Sequence, residues 1–200
     1  MVLTALLKKL KQYDLDDIFN MDETALFYNM PPITTIARER IEGRKKNKVR
    51  LTVALTCNAT GTERLDPFFI GHANKPRCFN KKTGEELGFF YRHNIKAWMT
   101  GKLFREYLLR FNRYIKCPVI LLIDNVSSHT FDDLFLNYVK VRTLPPHTTS
   151  KLQPLDAGII AAFKKHYHRI KIRHGLDAIE RGEEPYKINQ LTAMRWIRRA

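Results

Sequence analysis

The sequence predicts a mixed α/β domain in which helices cover a central sheet. Its apolar patterns follow one another as a hairpin of two strands, a helix, a buried strand, a second helix, a short strand and a further helix. The chain has 200 residues, of which 44% are hydrophobic and 11% aromatic. That composition supplies enough apolar surface for one substantial packed domain.

Helical and extended patterns follow one another through the first part of the chain. Leucines recur on one face of residues 2–12 and predict a helix, and Ile18–Asp22 forms a short apolar segment. Val49–Cys57 is rich in β-branched residues and predicts a strand. After the turn residues Asn58–Gly61, Pro67–Ile70 would return as the second arm of a hairpin.

The middle of the chain adds further strands and helices. Phe89–Tyr91 is a candidate third strand, and apolar residues recur at helical spacing over 103–115. The continuous apolar run Val119–Ile123 predicts a central strand that is buried on both faces. We expect a polar helix over Phe131–Lys140 and a short strand over Val139–Leu144, which two prolines end.

The last part of the chain is helical. An amphipathic helix begins near Asp156, and a final helix begins at Asn189 and is still running at the last residue, so we expect the sequence to be a fragment. These patterns divide the chain into a helical lead-in at 1–17, a core at 18–175 and a helical extension at 176–200.

Charge and composition narrow the class of function. Lys and Arg number 35 against 20 Asp and Glu, a formal charge of +15, so nucleic acid is the first partner to expect. No apolar run reaches the ~20 residues of a membrane span, and the start lacks the pattern of a secretory signal. The three cysteines form no CxxC pair, which favours a reducing, intracellular compartment.

Three aspartates lie where the predicted elements would expose them. Asp22 ends the first apolar segment, Asp124 follows the buried strand and Asp156 opens the amphipathic helix. Three converging carboxylates suit Mg²⁺ or Mn²⁺. Two such ions can stabilise the attacking and leaving oxygens of a phosphoryl displacement.

Each aspartate also has a structural explanation, which is the commoner one when the residue is taken singly. Asp156 could be the N-cap of its helix, Asp124 could begin an Asx-turn, and Asp22 could be an acid at a helix start.

Longer motifs surround the three aspartates. They are Asn20–Tyr28 (NMDETALFY), Leu121–Asn125 with the following Ser128-His129, and Leu144–Ile160 (LPPHTTSKLQPLDAGII). These motifs resemble the DDE endonuclease domain of the pogo/Tigger/jerky transposases, a mariner-type group to which centromere protein B is related. The resemblance runs from about Tyr13 to the end of the chain.

The resemblance implies an RNase H-like fold with a mixed central sheet flanked by helices. It places the first acid on the first strand, the second on the fourth strand and the third at a helix. Asp22, Asp124 and Asp156 would then be a catalytic, metal-binding triad for two Mg²⁺ or Mn²⁺ ions. The implied activity is metal-dependent DNA strand cleavage and strand transfer in the nucleus, and a homodimer is an open alternative to a monomer.

The chain departs from the family pattern in two places. Val126-Ser127 stands where the family commonly has Ala-Pro. Family members also carry helix-turn-helix DNA-binding domains ahead of the core, whereas only some twenty residues precede Asp22 here. We therefore expect that recognition of the element ends is missing from this chain or is supplied by another chain.

Basic residues near these motifs are candidates for DNA contacts. One set lies in or near a basic run after the first motif, and another lies on the polar side of the helix that follows Asp156. Lys151 stands apart from both sets, in the loop before Asp156. A solvated surface is the alternative for both sets. The candidates are Arg44, Lys45, Lys46, Lys48, Arg50, Lys151, Lys164, Lys165, Arg169, Lys171 and Arg173.

A few other residues near the motifs have both a functional and a structural interpretation. His129 and Asn125 could orient phosphate or water beside the second acid, although a satisfied turn histidine is equally expected. We expect Glu23 to lie outside the triad, because neighbours on a strand point to opposite faces and Glu23 follows Asp22 directly. We expect Trp98 and Trp196 to be core residues rather than base-stacking platforms.

The leading hypothesis is therefore a transposase-derived DDE endonuclease core that acts on DNA. The alternative is a domesticated, non-enzymatic DNA-binding or chromatin module with a vestigial site. A third hypothesis is a degenerate reading frame that does not fold stably.

Overall fold

Six strands form one mixed sheet in the computed structural model, which describes residues 2–30, 48–131, 133–145 and 153–200. The strands are β1 (Ile18–Leu26), β2 (Leu51–Asn58), β3 (Phe68–Gly71), β4 (Phe90–His93), β5 (Val119–Ile123) and β6 (Val139–Thr143). Their order across the sheet is β4-β3-β2-β1-β5-β6.

The described helices are α1 (Val2–Leu10), α2 (Gly101–Tyr114), α3 (Ile160–Glu180) and α4 (Gln190–Arg199). Two of them begin at residues that favour N-caps. The Thr100 hydroxyl accepts a hydrogen bond from the N–H of Leu103 at 3.4 Å, and Asn189 Oδ1 accepts one from the N–H of Thr192 at 2.9 Å. A single π-helical turn, Leu155–Ile159, leads into α3.

The strand register brings the ends of β1 and β5 to one level. β1 lies between the antiparallel strand β2 and the parallel strand β5, and Asn20 on β1 pairs with Leu122 on β5. Two residues further along, Asp22 is therefore level with Asp124, which follows the end of β5. The register of the backbone alone therefore places Asp22 and Asp124 at the same level of two neighbouring strands.

Each face of the sheet is covered by helices. On one face, Met21 of β1 and Leu121 of β5 share a core with Phe104 and Phe111 of α2. On the other face, Leu26 of β1 shares a core with residues of α3 and α4. Because successive strand residues alternate in direction, Asp22 faces α3 and Glu23 faces α2.

Most sequence-based elements are confirmed: the N-terminal helix, the hairpin of β2 and β3, the third strand β4, the buried strand β5, and the helices α2, α3 and α4. The structure is a mixed sheet flanked by helices, as predicted. α3 continues without interruption across residue 175 to Glu180, and Trp196 of α4 lies in the same core as Tyr167 of α3.

The polar helix predicted over Phe131–Lys140 is wrong. Residues 133–138, which the structure describes, form turns and irregular backbone before β6. Leu134 and Leu136 pack against the core on the α2 face, and Asp133 pairs with Arg105 of α2. Apolar residues two apart cannot share one helical face, so the segment stays extended enough to bury both.

The expected strand position of the second acid also needs a correction. Asp124 follows the fifth strand of this chain, not the fourth, because the short strand β4 adds an edge strand beside β3. Within the described residues, no helix is both long enough and apolar enough to cross a membrane.

Candidate active site

The three predicted acids approach one another at the carboxyl end of β5. Asp22 lies on β1 and Asp124 follows Ile123, the last residue of β5. Asp156 lies in the π-helical turn, which packs against β1. The structure therefore brings together residues that are remote in the sequence, at the sheet edge where ligands of parallel strands gather.

A buried amide pair fixes the turn that carries the third acid. Asn20 Nδ2 donates hydrogen bonds to the carbonyl oxygen of Leu122 at 2.9 Å and to Gln153 Oε1 at 2.7 Å. Asn20 Oδ1 accepts one from the N–H of Leu155 at 3.1 Å. Gln153 Nε2 in turn donates to the carbonyl oxygen of Met21 at 3.2 Å. Fully satisfied buried amides of this kind hold one backbone arrangement, so they position the turn against β1 and β5.

Asp22 is buried among other carboxylates. Its exposed fraction is 6%, and burial raises its pKa from the ordinary 3.8 to about 7. The charge of Asp156 is the next cause, and those of Glu23 and Asp124 add to it, while the Glu23 N–H donates to Asp22 Oδ1 at 2.7 Å and opposes the shift. A cation bound beside Asp22 would relieve this repulsion.

His129 lies between two carboxylates on the α2 side. Its Nε2 lies 3.0 Å from Glu23 Oε1 and its Nδ1 lies 3.0 Å from Asp124 Oδ1. The ring is fully buried and stacks on Phe104 with the ring centres 4.3 Å apart. Burial lowers the pKa of His129, but the contacts with the two carboxylates outweigh it and raise the pKa to about 10.

Donor atoms of Glu23, Asp124 and His129 lie within 4.8 Å of one another, as a metal site would need. Both ring nitrogens of His129 already face carboxylates, however, so the ring is better placed to hold Asp124 than to bind a metal. Asp124 Oδ1 is buried and makes no hydrogen bond of good geometry, even with His129 beside it. An unsatisfied carboxylate oxygen next to repelling acids fits a hard divalent cation.

Asp156 is not the N-cap of a helix in the structure, although that role is the alternative that its sequence position suggests. The residues at the N-cap positions of the π-helical turn and of α3 are Pro154 and Ile159, and neither turn carries a side-chain cap. Asp156 is instead exposed, and its charge contributes to the raised pKa of Asp22. Gly158, two residues later, has φ 147° and ψ −24°, a conformation that side chains rarely adopt.

Apart from Lys171, the candidate DNA contacts form three groups, which differ in their place in the chain and in their exposure. Arg44, Lys45, Lys46 and Lys151 lie outside the described residues. Lys165, Arg169 and Arg173 are exposed along α3, and Lys164 is partly exposed there. Lys48 is exposed and Arg50 partly exposed just before β2.

Lys171 is a correction to that set. It lies on the buried side of α3, 3% exposed, and its ammonium donates a hydrogen bond to the carbonyl oxygen of Met30. Burial lowers the pKa of Lys171. The residue follows the apolar Tyr167 by one helical turn, which places both on the same face, so it is unavailable to a phosphate.

Two further findings are unexpected: the link between Glu23 and His129, and the exposure of Trp98. Glu23 does point to the face opposite Asp22, as predicted, yet it joins the same cluster through His129. No sequence signal for that link exists beyond the proximity of His129 to Asp124 in the chain. Trp98 was expected in the core but is 51% exposed, whereas Trp196 is buried as predicted.

Comparison with protein families gives a match over most of the chain. A family described as "DDE superfamily endonuclease" matches residues 48–200. CENP-B homolog protein 2 of Schizosaccharomyces pombe is 34% identical over 199 residues, covering 94% of this chain and 39% of that protein. ARS-binding protein 1 of the same organism is 36% identical over 200 residues, covering 94% of this chain and 38% of that protein. The chain thus spans about two fifths of the length of these relatives.

A solved structure shares the fold. The crystal structure of the Mos1 mariner paired end complex with Mn aligns with a TM-score of 0.54 at 17% identity, over 98% of this chain and 56% of that one. The similarity confirms the expected RNase H-like architecture of the sheet and its flanking helices.

Proposed function

The chain belongs to the DDE superfamily endonuclease family, and we propose that it is a transposase-derived nuclease core that cleaves DNA strands with the help of divalent cations. The observation that supports the proposal is that Asp22 is buried at one end of the sheet near Asp156 and Asp124, whose charges help to raise its pKa. Structural acids are normally paired with cations or caps, whereas Asp22 is buried beside other acids.

The three aspartates would hold two divalent cations, either Mg²⁺ or Mn²⁺. Bound there, such ions supply charge for the attacking and leaving oxygens of a phosphodiester. Within the chain, His129 keeps Asp124 oriented, and the Asn20–Gln153 pair keeps the turn of Asp156 against β1. These contacts preorganise the carboxylates, which reduces the rearrangement needed when a cation and a DNA strand arrive.

The +15 charge and the exposed cations of α3 support DNA as the substrate. Lys165, Arg169 and Arg173 follow Asp156 along one helix, so a strand held at the carboxylates would meet them next. Strand transfer after cleavage, a nuclear location and a homodimer are further parts of this proposal, and each needs its own test.

A nicking assay on supercoiled plasmid tests the proposal. We expect the wild-type chain to relax the plasmid with Mn²⁺ and to stop when EDTA is added. Asp124→Asn should lower the rate about 100-fold or more, since loss of even an outer-shell partner costs 10–100-fold at metal sites. Asp177→Asn is the matched control, because Asp177 is an exposed acid of α3 distant from the carboxylates.

Nicking that survives in Asp124→Asn would reject the triad and point to a contaminating nuclease. A wild-type chain that folds but does not nick would reject the nuclease proposal for this chain.

A second candidate is a domesticated DNA-binding module without catalysis. The relative named ARS-binding protein 1 is 36% identical, which favours a binding function independent of cleavage. This candidate predicts DNA binding that is unchanged in Asp124→Asn, together with no nicking by the wild type. The same two assays therefore decide between the candidates.

A further inference from the structure

An exposed tryptophan lies between two cations at the carboxylate end of the sheet. Trp98 is 51% exposed, and the Arg50 guanidinium carbon and the Lys96 ammonium each lie 5.4 Å from the centre of its ring. Arg50 also donates a hydrogen bond from Nε to the Thr52 hydroxyl at 3.2 Å. A half-exposed indole ring with two cations over it combines an aromatic surface with charges that suit phosphates.

Hydrogen bonds of Asn94 hold together the loop that presents Trp98. Asn94 Oδ1 accepts hydrogen bonds from the N–H groups of Lys96 and Trp98, each at 3.1 Å, and its Nδ2 donates to the carbonyl oxygen of Trp98 at 2.6 Å. One side chain therefore closes the whole loop. A ring held in this way loses little conformational entropy when a ligand stacks on it.

Ala97 adds backbone strain to the same loop. It is 2% exposed and has φ 50°, the left-handed region that alanine rarely adopts. Its carbonyl oxygen accepts a hydrogen bond from the buried Thr52 hydroxyl at 2.5 Å. The fold maintains a strained residue next to an exposed aromatic ring, and such strain persists at positions with a binding task more often than elsewhere.

The loop lies at the same end of the sheet as the carboxylates, on the α2 face together with Glu23, whereas Asp22 points to the opposite face. Leu51 pairs with Leu26, so Arg50 lies about five residues beyond the level of Asp22, roughly 15 Å at ~3.3 Å per residue. The side chains of Thr52 and Glu23 both lie on the α2 face. That distance corresponds to about four or five nucleotide steps of a DNA strand at 3.4 Å per step.

We propose that Trp98 is a stacking platform for an unpaired nucleobase of the DNA strand held at the carboxylates, with Arg50 and Lys96 binding the flanking phosphates. This inference rests on the proposed function, because it concerns the strand that would be cleaved. A shallow pocket of about 550 Å³ beside the ring, lined in part by His72, His93 and Ile95, gives room for a base. A stacked base needs no specific edge contacts, so the platform would accept any base.

The two cations distinguish DNA from a protein partner. An apolar protein surface would meet Arg50 and Lys96 over the ring and would have to desolvate both. A nucleic-acid strand instead offers a π-face for the indole and an anionic phosphate for each cation, as the overall charge of the chain also favours.

Binding of a fluorescein-labelled single-stranded 20-mer and of the matched blunt duplex, both in EDTA to prevent cleavage, tests the inference. We expect Trp98→Ala to weaken binding of the single strand about 10-fold, within the range measured for loss of one base–aromatic stack. Binding of the duplex should change less than threefold. Trp98→Phe should retain most of the affinity, because the phenyl ring still stacks.

Phe135→Ala is the matched control, since Phe135 is 86% exposed and lies in the segment between β5 and β6. It should bind both DNAs as the wild type does. Equal loss of single-strand and duplex binding in Trp98→Ala would overturn the inference in favour of a general surface effect, and unchanged binding would overturn it outright.

The readouts separate this inference from the proposed function. DNA binding in EDTA requires no cleavage, and Mn²⁺ binding by Trp98→Ala should equal that of the wild type. A chain that shows the stacking effect but does not nick would keep the platform and lose the nuclease. A chain that nicks DNA, and whose single-strand binding is unchanged in Trp98→Ala, would keep the nuclease proposal and reject the stacking platform.

Discussion

Asp22 is a buried carboxylate close to other carboxylates. Its ionised form should destabilise the folded chain, so the free energy of unfolding should depend on pH. Its pKa is raised from 3.8 to about 7, so between those values the folded chain holds a proton that the unfolded chain has lost. The folded state therefore loses stability as pH rises through this window, at up to ~1.4 kcal/mol per pH unit, and the loss levels off above pH 7.

Asp22→Asn should accordingly stabilise the protein in EDTA. We expect a gain of about 2–4 kcal/mol at pH 8 and a much smaller gain at pH 4, measured by urea unfolding. Asp177→Asn, which changes an exposed acid, should stay within ~0.5 kcal/mol at both pH values. A variant less stable than the wild type at pH 8 would contradict the repulsion among the carboxylates.

His129 is the cation that lies between Glu23 and Asp124. Its removal would leave Glu23 and Asp124 facing each other and would open a cavity against Phe104. We expect His129→Ala to lose about 3 kcal/mol of unfolding free energy at pH 7, since breaking a buried ion pair strands the remaining charges. His168→Ala, on the exposed side of α3, should change stability little. Equal stability of both variants would show that His129 is only a turn residue.

At the scale of elements, the turn before α3 depends on one glycine. Gly158 has φ 147°, and a Cβ added there would meet nothing within 4 Å, so the cost of a side chain is backbone strain alone. We expect Gly158→Ala to lose about 1–2 kcal/mol of stability and to weaken Mn²⁺ binding, because relief of the strain would shift Asp156.

Gly182→Ala is the matched control for Gly158. Gly182 also has a positive φ with open space around it, but it follows the far end of α3, about 30 Å from the carboxylates at 1.5 Å per residue. It should lose about as much stability with no effect on Mn²⁺ binding. Equal effects of the two variants on Mn²⁺ binding would contradict the role given to the turn.

The sequence predicts the strands and helices well where one pattern dominates. Val119–Ile123 is apolar throughout and is fully buried, and the helical spacing before it matches α2. The failed helix at 131–140 has mixed spacing, so contacts with α2 decide its backbone. Trp98 could not be placed either, because the Asn94 hydrogen bonds and the strained Ala97 turn it outward.

The same contrast holds for the candidate site. The motifs identify Asp22, Asp124 and Asp156, but the contacts that support them join residues more than 100 positions apart, as in the pairs Asn20–Gln153 and Glu23–His129. Such partners are set by the strand order β2-β1-β5, which no local pattern encodes. Lys171 shows the converse, since a charged residue on a basic helix proves to be buried.

At the scale of the whole molecule, a strongly cationic chain concentrates acids at one end of its sheet. The exposed cations of α3 and the pair Arg50 and Lys96 lie outside that cluster. A polyanion attracted by the net charge of +15 would bind more weakly next to bare carboxylates than next to carboxylates neutralised by a cation. Divalent cations should therefore promote DNA binding as well as cleavage.

Calorimetric titration of the chain with Mn²⁺ at pH 7.5 tests the central claim most directly, because it asks whether the three aspartates form one cation site. We expect the wild type to bind, and Asp22→Asn, Asp124→Asn and Asp156→Asn each to weaken binding about 10-fold or more, while Asp177→Asn binds as the wild type does. Undiminished Mn²⁺ binding by any one of the three variants, or none by the folded wild type, would contradict the account.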